Sequence, residues 1–265
     1  MTSKFIAFYL TCYYMVLAAT SVLNTKKLNT FITYDVGQGD ALGLVTNMGT
    51  NILVDGGPNY EIDRYFSSNF PFKSCPIDLF IVTHPHADHL EGLLRLLYRC
   101  PNSAVVYNPV EHDSLLHKNW LDEVEGNKLH ELYKGQTLLI DNIKLISVWP
   151  PKNFKDPNLN NTSLILEVVA DKTKILLTGD AEKTILDQLY VKNIDIYKVS
   201  HHGALNGNSK ELLNSAKPKF CIISVGEDNK FDHPHKVVLE ELFKSGCIVK
   251  RSDLDGTVYL NFRSY

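Results

Sequence analysis

The run Thr83-His84-Pro85-His86-Ala87-Asp88-His89 follows directly on the apolar stretch Ile77-Asp78-Leu79-Phe80-Ile81-Val82 and constrains this chain more than any other feature. Three imidazoles and a carboxylate in six positions are too dense for ordinary packing, because each buried polar group would need its own partner. His84 and His86 stand two apart in locally extended chain, so their side chains point the same way. Asp88 and His89 then fall in the first turn of an apolar helix, Leu90 to Leu97, and face a second point. Two imidazoles for one cation, and a carboxylate with an imidazole for another, is the composition of a two-metal site. A histidine-rich loop without metal is the competing reading, and the ligand chemistry speaks against it.

Two further apolar strands end in ligand chemistry. Lys174–Thr178 stops at Gly179-Asp180, and Ile194–Val199 runs into Ser200-His201-His202-Gly203. Loops at strand ends are where a rigid sheet can hold functional groups. A Gly-Asp pair is by itself an ordinary turn. Beside two other loaded strand ends it becomes a candidate bridge, with one Asp180 oxygen on each cation and His201 or His202 completing the second.

The other elements are read from periodicity and turn chemistry. Extended candidates are Phe31–Val36, Ala41–Thr46, Asn51–Val54 and Ala104–Tyr107, with helices at Leu90–Arg99 and near Leu121–Leu132. Thr137–Ile140 and Ile143–Val148 form a hairpin, and Ser163–Val169 with Lys174–Thr178 flank a second turn. Helices Glu182–Tyr190, Lys210–Ala216 and Val237–Lys244 then alternate with strands Ile194–Val199, Phe220–Val225 and Ile248–Lys250. Two β-rich halves, each leading into β/α units, imply two sheets face to face with helices outside.

At 265 residues, 44% hydrophobic and 22% charged, the chain supports one large folded domain from about residue 30 to residue 265. A net charge of -3 lacks the basic excess of most polynucleotide-binding domains and counts against a large nucleic-acid footprint. Residues 1–23 read as a leader. Lys4 precedes the uncharged, mostly apolar Phe5 to Leu23, and Ala18-Ala19-Thr20-Ser21 supplies small residues for cleavage. A cleavable signal is preferred over a retained membrane anchor formed by residues 5–23, and either one places the remaining domain outside the cytoplasm. Beyond this leader lie four cysteines, Cys75, Cys100, Cys221 and Cys247, which allow three connectivities. Cys221 and Cys247 each begin a strand and are candidates for bridging, but buried free thiols are the preferred reading.

The order His84-x-His86-x-Asp88-His89, Gly179-Asp180, His201 resembles the metallo-β-lactamase superfamily. Asp35-Val36-Gly37-Gln38-Gly39-Asp40-Ala41, Leu53–Gly57, Asn161–Leu164, Leu176–Glu182, Lys198–Gly203 and Ser224-Val225-Gly226 with His233-Pro234-His235 are similar to the hydrolase domain of ComEC-type DNA-uptake proteins. The resemblance covers about Phe31 to Leu260. It implies an α/β fold, a four-layer αβ/βα sandwich with a dinuclear site at one edge, and in ComEC relatives a proposed degradation of one DNA strand. Two departures stand out. The large membrane channel of a ComEC protein has no counterpart in this sequence. Many superfamily members also carry another metal-binding histidine where this chain has Asn160–Ser163. His112, His117 and His130 lie in that interval but are read as solvated surface.

On this resemblance His84, His86 and bridging Asp180 hold one metal, and Asp88, His89 and His201 the other. The cofactors are two divalent ions, zinc or manganese, since a site with only two histidines is less selective than a three-histidine zinc site. Asp88, His202 and His233 are the candidates for catalysis. His202 is placed to meet a substrate phosphate or supply a proton, and His233 or His235 to close the pocket. Asp55 is a candidate partner for a ligand histidine. Gln38 and Asp40 sit in a glycine-bracketed loop near the site. Asn160 and Asn161 head formal glycosylation sequons that proximity to the site disfavours. The expected function is a dinuclear hydrolase of phosphodiesters, a nuclease first, with nucleic acid or another phosphodiester as partner. A secreted or surface phosphodiesterase or esterase on a small molecule or cell-surface substrate is the alternative, and a catalytically idle binding protein on the same fold is the third reading.

Overall fold

The computed structural model describes residues 28–71, 75–124 and 129–262. The leader at residues 1–23 lies outside them. Strands β1 (Asn29–Thr33), β2 (Leu42–Val45), β3 (Asn51–Val54), β4 (Leu79–Val82), β5 (Ala104–Tyr107) and β6 (Leu129–Glu131) lie side by side in chain order. A second sheet repeats the plan with β7 (Thr137–Ile140), β8 (Ile143–Trp149), β9 (Ile165–Ala170), β10 (Thr173–Leu177), β11 (Ile196–Lys198), β12 (Phe220–Ile223) and β13 (Ile248–Arg251). The last strand, β14 (Val258–Phe262), returns to the first sheet and pairs antiparallel with β1. Each half opens with antiparallel neighbours, β1 to β3 and β7 to β10. Each closes with parallel ones, β3 to β6 and β10 to β13, whose crossovers need a longer connection.

Side-chain alternation sorts these strands into layers. Ile52 and Val54 of β3, Leu79 and Ile81 of β4, Ile175 and Leu177 of β10 and Ile222 of β12 form one core shared by both sheets. The intervening Leu53, Phe80 and Val82 pack outward against Ile62 and Phe66 of helix Glu61–Asn69 and Leu90, Leu93, Leu96 and Leu97 of helix Ala87–Arg99. On the far side Leu176, Tyr197 and Ile223 meet Leu212 and Leu213 of helix Lys210–Ala216 and Val238 and Leu242 of helix Lys236–Ser245. Each such leucine, taken fully out of water, contributes roughly 1.5–3 kcal/mol. The result is helix, sheet, sheet, helix: the α/β sandwich expected.

Several details differ from the sequence reading. The helix expected near Leu121–Leu132 is helix Leu115–Val124, and Leu129–Glu131 instead pairs with β5 as an edge strand. The helix expected over Glu182–Tyr190 stops after Lys183–Leu186. There the bonds tighten to the three-residue type, Gln188 N–H to Ile185 O and Leu189 N–H to Leu186 O. Helix Glu61–Asn69 and β14 went unread. That helix buries only Ile62 and Phe66, too narrow a stripe to stand out.

The preference for free thiols is corrected. Cys75 is bonded to Cys100 and Cys221 to Cys247, with Cα–Cα distances of 4.8 and 5.9 Å. The first bridge brackets β4 and helix Ala87–Arg99, the unit that carries the histidine run. The second ties β12 to the approach of its parallel neighbour β13. Among the described residues no helix is long and apolar enough to cross a membrane.

Candidate metal centre

Three loops meet at one point. Beyond β4, Thr83 and His84 leave the sheet and His86 caps helix Ala87–Arg99, which puts Asp88 in its first turn and buries His89. Beyond β10, Gly179 turns the chain through a left-handed conformation (φ +51°) and delivers Asp180. A β-carbon at Gly179 would stand 3.0 Å from the Ser163 side chain and 3.1 Å from Thr83 Cβ, so the turn is closely packed as well as left-handed. Beyond β11, His201 and His202 both adopt left-handed backbone (φ 50° and 54°).

Asp180 is at the centre. Its Oδ2 lies 3.2 Å from His89 Nε2, 3.5 Å from His202 Nε2, 3.8 Å from His201 Nε2 and 4.0 Å from His84 Nε2. His202 Nε2 is also 3.4 Å from Asp88 Oδ2. Asp88, His89, Asp180 and His202 therefore offer one ligand atom each, all within 4.8 Å of one another. On the other side of Asp180, His84 Nε2 and His86 Nδ1 approach to 3.0 Å. Buried polar atoms normally find partners. Yet among the described residues His89 Nε2, His202 Nε2 and Asp180 Oδ1 are buried and make no hydrogen bond. Orphaned nitrogen and oxygen lone pairs converging on one spot are what a divalent cation satisfies, so the residues fit metal.

The opposite ring nitrogens are fixed by carboxylates. Asp55 sits on the left-handed residue ending β3 and accepts hydrogen bonds from Thr83 N–H (2.8 Å) and Thr83 Oγ1 (2.6 Å). His89 Nδ1 lies 2.8 Å from its Oδ2, which leaves Nε2 for the site. For His202 the Nδ1 side faces Ser224 O (2.9 Å) and Asp40 Oδ1 (3.3 Å). Asp40 is itself fully buried against Lys198 Nζ, and Lys198 is equally buried. The glycine loop that carries Asp40 lies directly on the site. Asp40 N–H donates to Asp88 O at 3.1 Å, and a β-carbon on Gly39 would stand 2.2 Å from that oxygen. Asp40, Asp55 and His89 also form a compact ligand group, but the Lys198 ammonium already supplies cationic charge at Asp40 there.

Electrostatics follow from this crowding. Burial holds His84 well below the usual histidine range and lowers His86 as well. For His89 burial works in the same direction, but Asp180, Asp55 and Asp88 outweigh it and raise the ring well above its ordinary value. His202 is raised against burial by Asp180 and Asp40. Asp180 and Asp88 are lowered despite burial, chiefly by His89 with His202. Burial dominates at Asp55, which is raised. Without metal, then, imidazolium protons balance the carboxylates on the Asp88/Asp180 side.

Of the residues singled out in the sequence, the structure brings together His84, His86, Asp88, His89, Asp180 and His202. His201 was expected as a ligand. It lies beside Asp180 but outside the four-residue group, its side chain 22% exposed, and His202 occupies the inner place. His233 is farther out, its ring 5.8 Å from His201 and 5.1 Å from His235, and burial with the charges of His202 and His201 pushes it down to about 4. Gln38 Oε1 accepts from Gly226 N–H at 3.1 Å. Asn160 and Asn161 are buried, and Asn161 O accepts from Trp149 Nε1.

His117 corrects the solvated-surface expectation. It is buried and stacks on Trp120 at 6.0 Å, because its position on helix Leu115–Val124 faces the sheet. Lys198 figures in the sequence reading only as the first residue of the segment Lys198–Gly203, with no role of its own. Its one signal was a lysine inside the apolar strand 194–199, where a charge needs a buried partner.

A family model described as the metallo-beta-lactamase superfamily matches residues 35–226. ComE operon protein 3 of Bacillus subtilis is 26% identical, over 87% of this chain and 32% of the relative. Recombination protein 2 of Haemophilus influenzae is 28% identical, over 87% of this chain and 28% of its own length. The chain thus spans about a third of the curated relatives it matches. The metallo-beta-lactamase fold protein YhfI from Bacillus subtilis covers 88% of this chain and all of its own (100%), with a TM-score of 0.61 at 11% identity, a likeness of fold.

Proposed function

The chain belongs to the metallo-β-lactamase superfamily, and from that premise we propose that it is a two-metal phosphodiester hydrolase, with a polynucleotide as its leading substrate. The observation that carries this reading is Asp180, whose one carboxylate stands within 4.0 Å of four imidazole nitrogens from two other strand ends. His84, His86 and Asp180 would hold one divalent ion, and Asp88, His89, Asp180 and His202 the other. The donor set of imidazoles and carboxylates suits zinc or manganese. When bound, such a pair supplies a water of lowered pKa and charge to neutralise the attacked phosphate.

The chain's own residues do the positioning. Asp55 holds the His89 ring by Nδ1 and turns Nε2 inward. Ser224 O and Asp40 do the same for His202. His201 then has the rim rather than the ligand shell: it is partly exposed and next to Asp180, placed to meet a phosphate oxygen. His233, with its ring beside His201, is the next group outward and is held neutral.

Relatives named for the ComE operon and for recombination support a nucleic-acid substrate over a small ester. Two disulfides support a compartment outside the cytoplasm, where such bonds persist, in keeping with a leader at residues 1–23. The test is hydrolysis by zinc- or manganese-reconstituted protein of single-stranded DNA, duplex DNA, RNA and a chromogenic phosphodiester. Cleavage of at least one polynucleotide is expected, abolished by chelator. Turnover of only the small diester would replace the polynucleotide reading with a small-molecule phosphodiesterase, and no turnover of any would leave a binding protein.

A further inference from the structure

A cavity of about 1060 Å³ opens between the end of β5, helix Leu115–Val124 and the loop at residues 152–157. It is larger than a small diester needs, since pockets for whole drug-sized molecules run from about 300 to 1,000 Å³. His112 lines it, and the His112 ring is 6.4 Å from that of His86, so the cavity adjoins the His84/His86 side of the metal centre.

Its lining is partly aromatic and carries no cationic excess: Glu111, Asp113, Glu131 and Asp156 stand against Lys118, Lys152 and Lys155. Tyr107, His112 and Phe154 each present a half-buried ring to it. The charges around the mouth are largely matched. Lys118 pairs with Asp113, and Lys155 Nζ is 3.3 Å from Glu111. Glu131 accepts from the Tyr133 hydroxyl at 2.5 Å, and Asp156 accepts from Asn161 Nδ2 at 3.1 Å. Lys152 stands with its ammonium 5.6 Å over the Tyr133 ring. A surface that tracks a duplex by its phosphates needs an excess of cations, which this wall lacks. Aromatic faces without charge excess suit bases that have left the stack, because every base has a π-face and stacking is sequence-tolerant.

We infer that this cavity is a nucleobase subsite, in which one or two unpaired bases stack on Tyr107, His112 and Phe154 while their strand's phosphate lies at Asp180. The inference rests on the phosphodiester reading above. It makes the substrate a single strand or a frayed end, with Lys152 beside the backbone.

The test compares binding of a fluorescent, phosphorothioate-linked oligothymidylate of about ten nucleotides with an abasic strand of equal length and charge, by anisotropy, on metal-free and metal-loaded protein. Stacking of one base makes the normal strand bind about tenfold more tightly. Phe154→Leu and His112→Ala should each bring that ratio toward one, and Lys152→Ala should weaken both strands alike. Phe154 packs on Trp149, so its variant is also checked by thermal melt; His112, in a loop, serves if Phe154→Leu unfolds. Equal binding of normal and abasic strands by the unmodified protein, or an unchanged ratio in the folded variants, overturns the subsite. Hydrolysis of a chromogenic phosphodiester by the unmodified protein is scored separately. Its absence together with no cleavage of DNA or RNA by the metal-loaded protein overturns the hydrolase reading whatever the binding ratio shows.

Discussion

Replacing Lys198 by methionine isolates the buried charge that supports the site. Lys198 and Asp40 are both fully buried, and the lysine Nζ rests on Asp40 Oδ2. Methionine keeps most of the volume and removes the ammonium, leaving Asp40 a buried anion beside His202 Nδ1. Breaking one half of a buried pair costs about 3–5 kcal/mol, whereas replacing both partners with groups of similar shape is close to neutral. For a chain of this size that corresponds to a fall in Tm of roughly 6–20 °C. The assay is thermal unfolding in chelator, completed as a cycle with Asp40→Asn and the double variant. Each single variant should be clearly destabilised, and the double variant should recover most of the loss.

The pH dependence has a definite sign. In the unmodified protein Lys198 and His202 overcome burial and hold Asp40 below the ordinary carboxylate range. Its contribution is therefore complete above about pH 4 and lost only as pH falls through the depressed value. In Lys198→Met burial is less opposed, and Asp40 should titrate upward. The deficit should be greatest at neutral pH and shrink toward about pH 4, where the carboxyl is protonated in the unfolded chain too. A deficit independent of pH, or a double variant as unstable as Lys198→Met, would refute the buried-charge account and leave only lost packing.

Three further outcomes are expected. Asp180→Ala should lower the content of both metals, measured by elemental analysis of reconstituted protein; full two-metal occupancy would remove Asp180 from the bridge. Asp55→Asn keeps the shape but weakens the hold on His89 Nδ1, so metal affinity should fall about 10- to 100-fold in a chelator competition; unchanged affinity would show that the contact does not orient the ligand. The Cys221–Cys247 bridge closes a separation of 26 residues, for which chain entropy gives about 3–4 kcal/mol. The Cys221→Ser/Cys247→Ser variant should lose that amount in denaturant titration, and a loss below about 1 kcal/mol would mean that the bridge adds little constraint beyond the pairing of β12 with β13.

Much of this was legible in the sequence because strand periodicity and ligand chemistry coincide. The runs ending at Val82, Leu177 and Lys198 are apolar on both faces, as strands covered by a second sheet and by helices must be. Their ends carried nearly every polar residue of the centre. The His201-His202 pair was not resolvable that way. Which ring points inward depends on two successive left-handed residues after β11, a backbone choice that neither residue type dictates. Edge strand Leu129–Glu131 was hidden for a similar reason. Three residues paired with β5 carry too little pattern to outweigh a helical neighbourhood.

Net charge does not decide the partner: a value of -3 counts against a large nucleic-acid footprint, yet the sum says nothing about where charge sits. Asp40, Asp55, Asp88 and Asp180 crowd one site, with Lys198 as its lysine and the raised rings of His89 and His202 as the remaining cationic groups. On the proposed two-metal reading, divalent ions would displace the protons of His89 and His202 and bring four positive charges, moving these groups from a net of about -1 to about +1 where a phosphate would arrive. On that reading, affinity for a phosphodiester would be a property of the loaded centre and of the rings beside it rather than of the surface. Binding of a strand should accordingly depend on metal far more than on salt, with a log–log salt slope corresponding to about one or two neutralised phosphates. A slope corresponding to many phosphates, unaffected by chelator, would place the contact on the outer surface and away from Asp180.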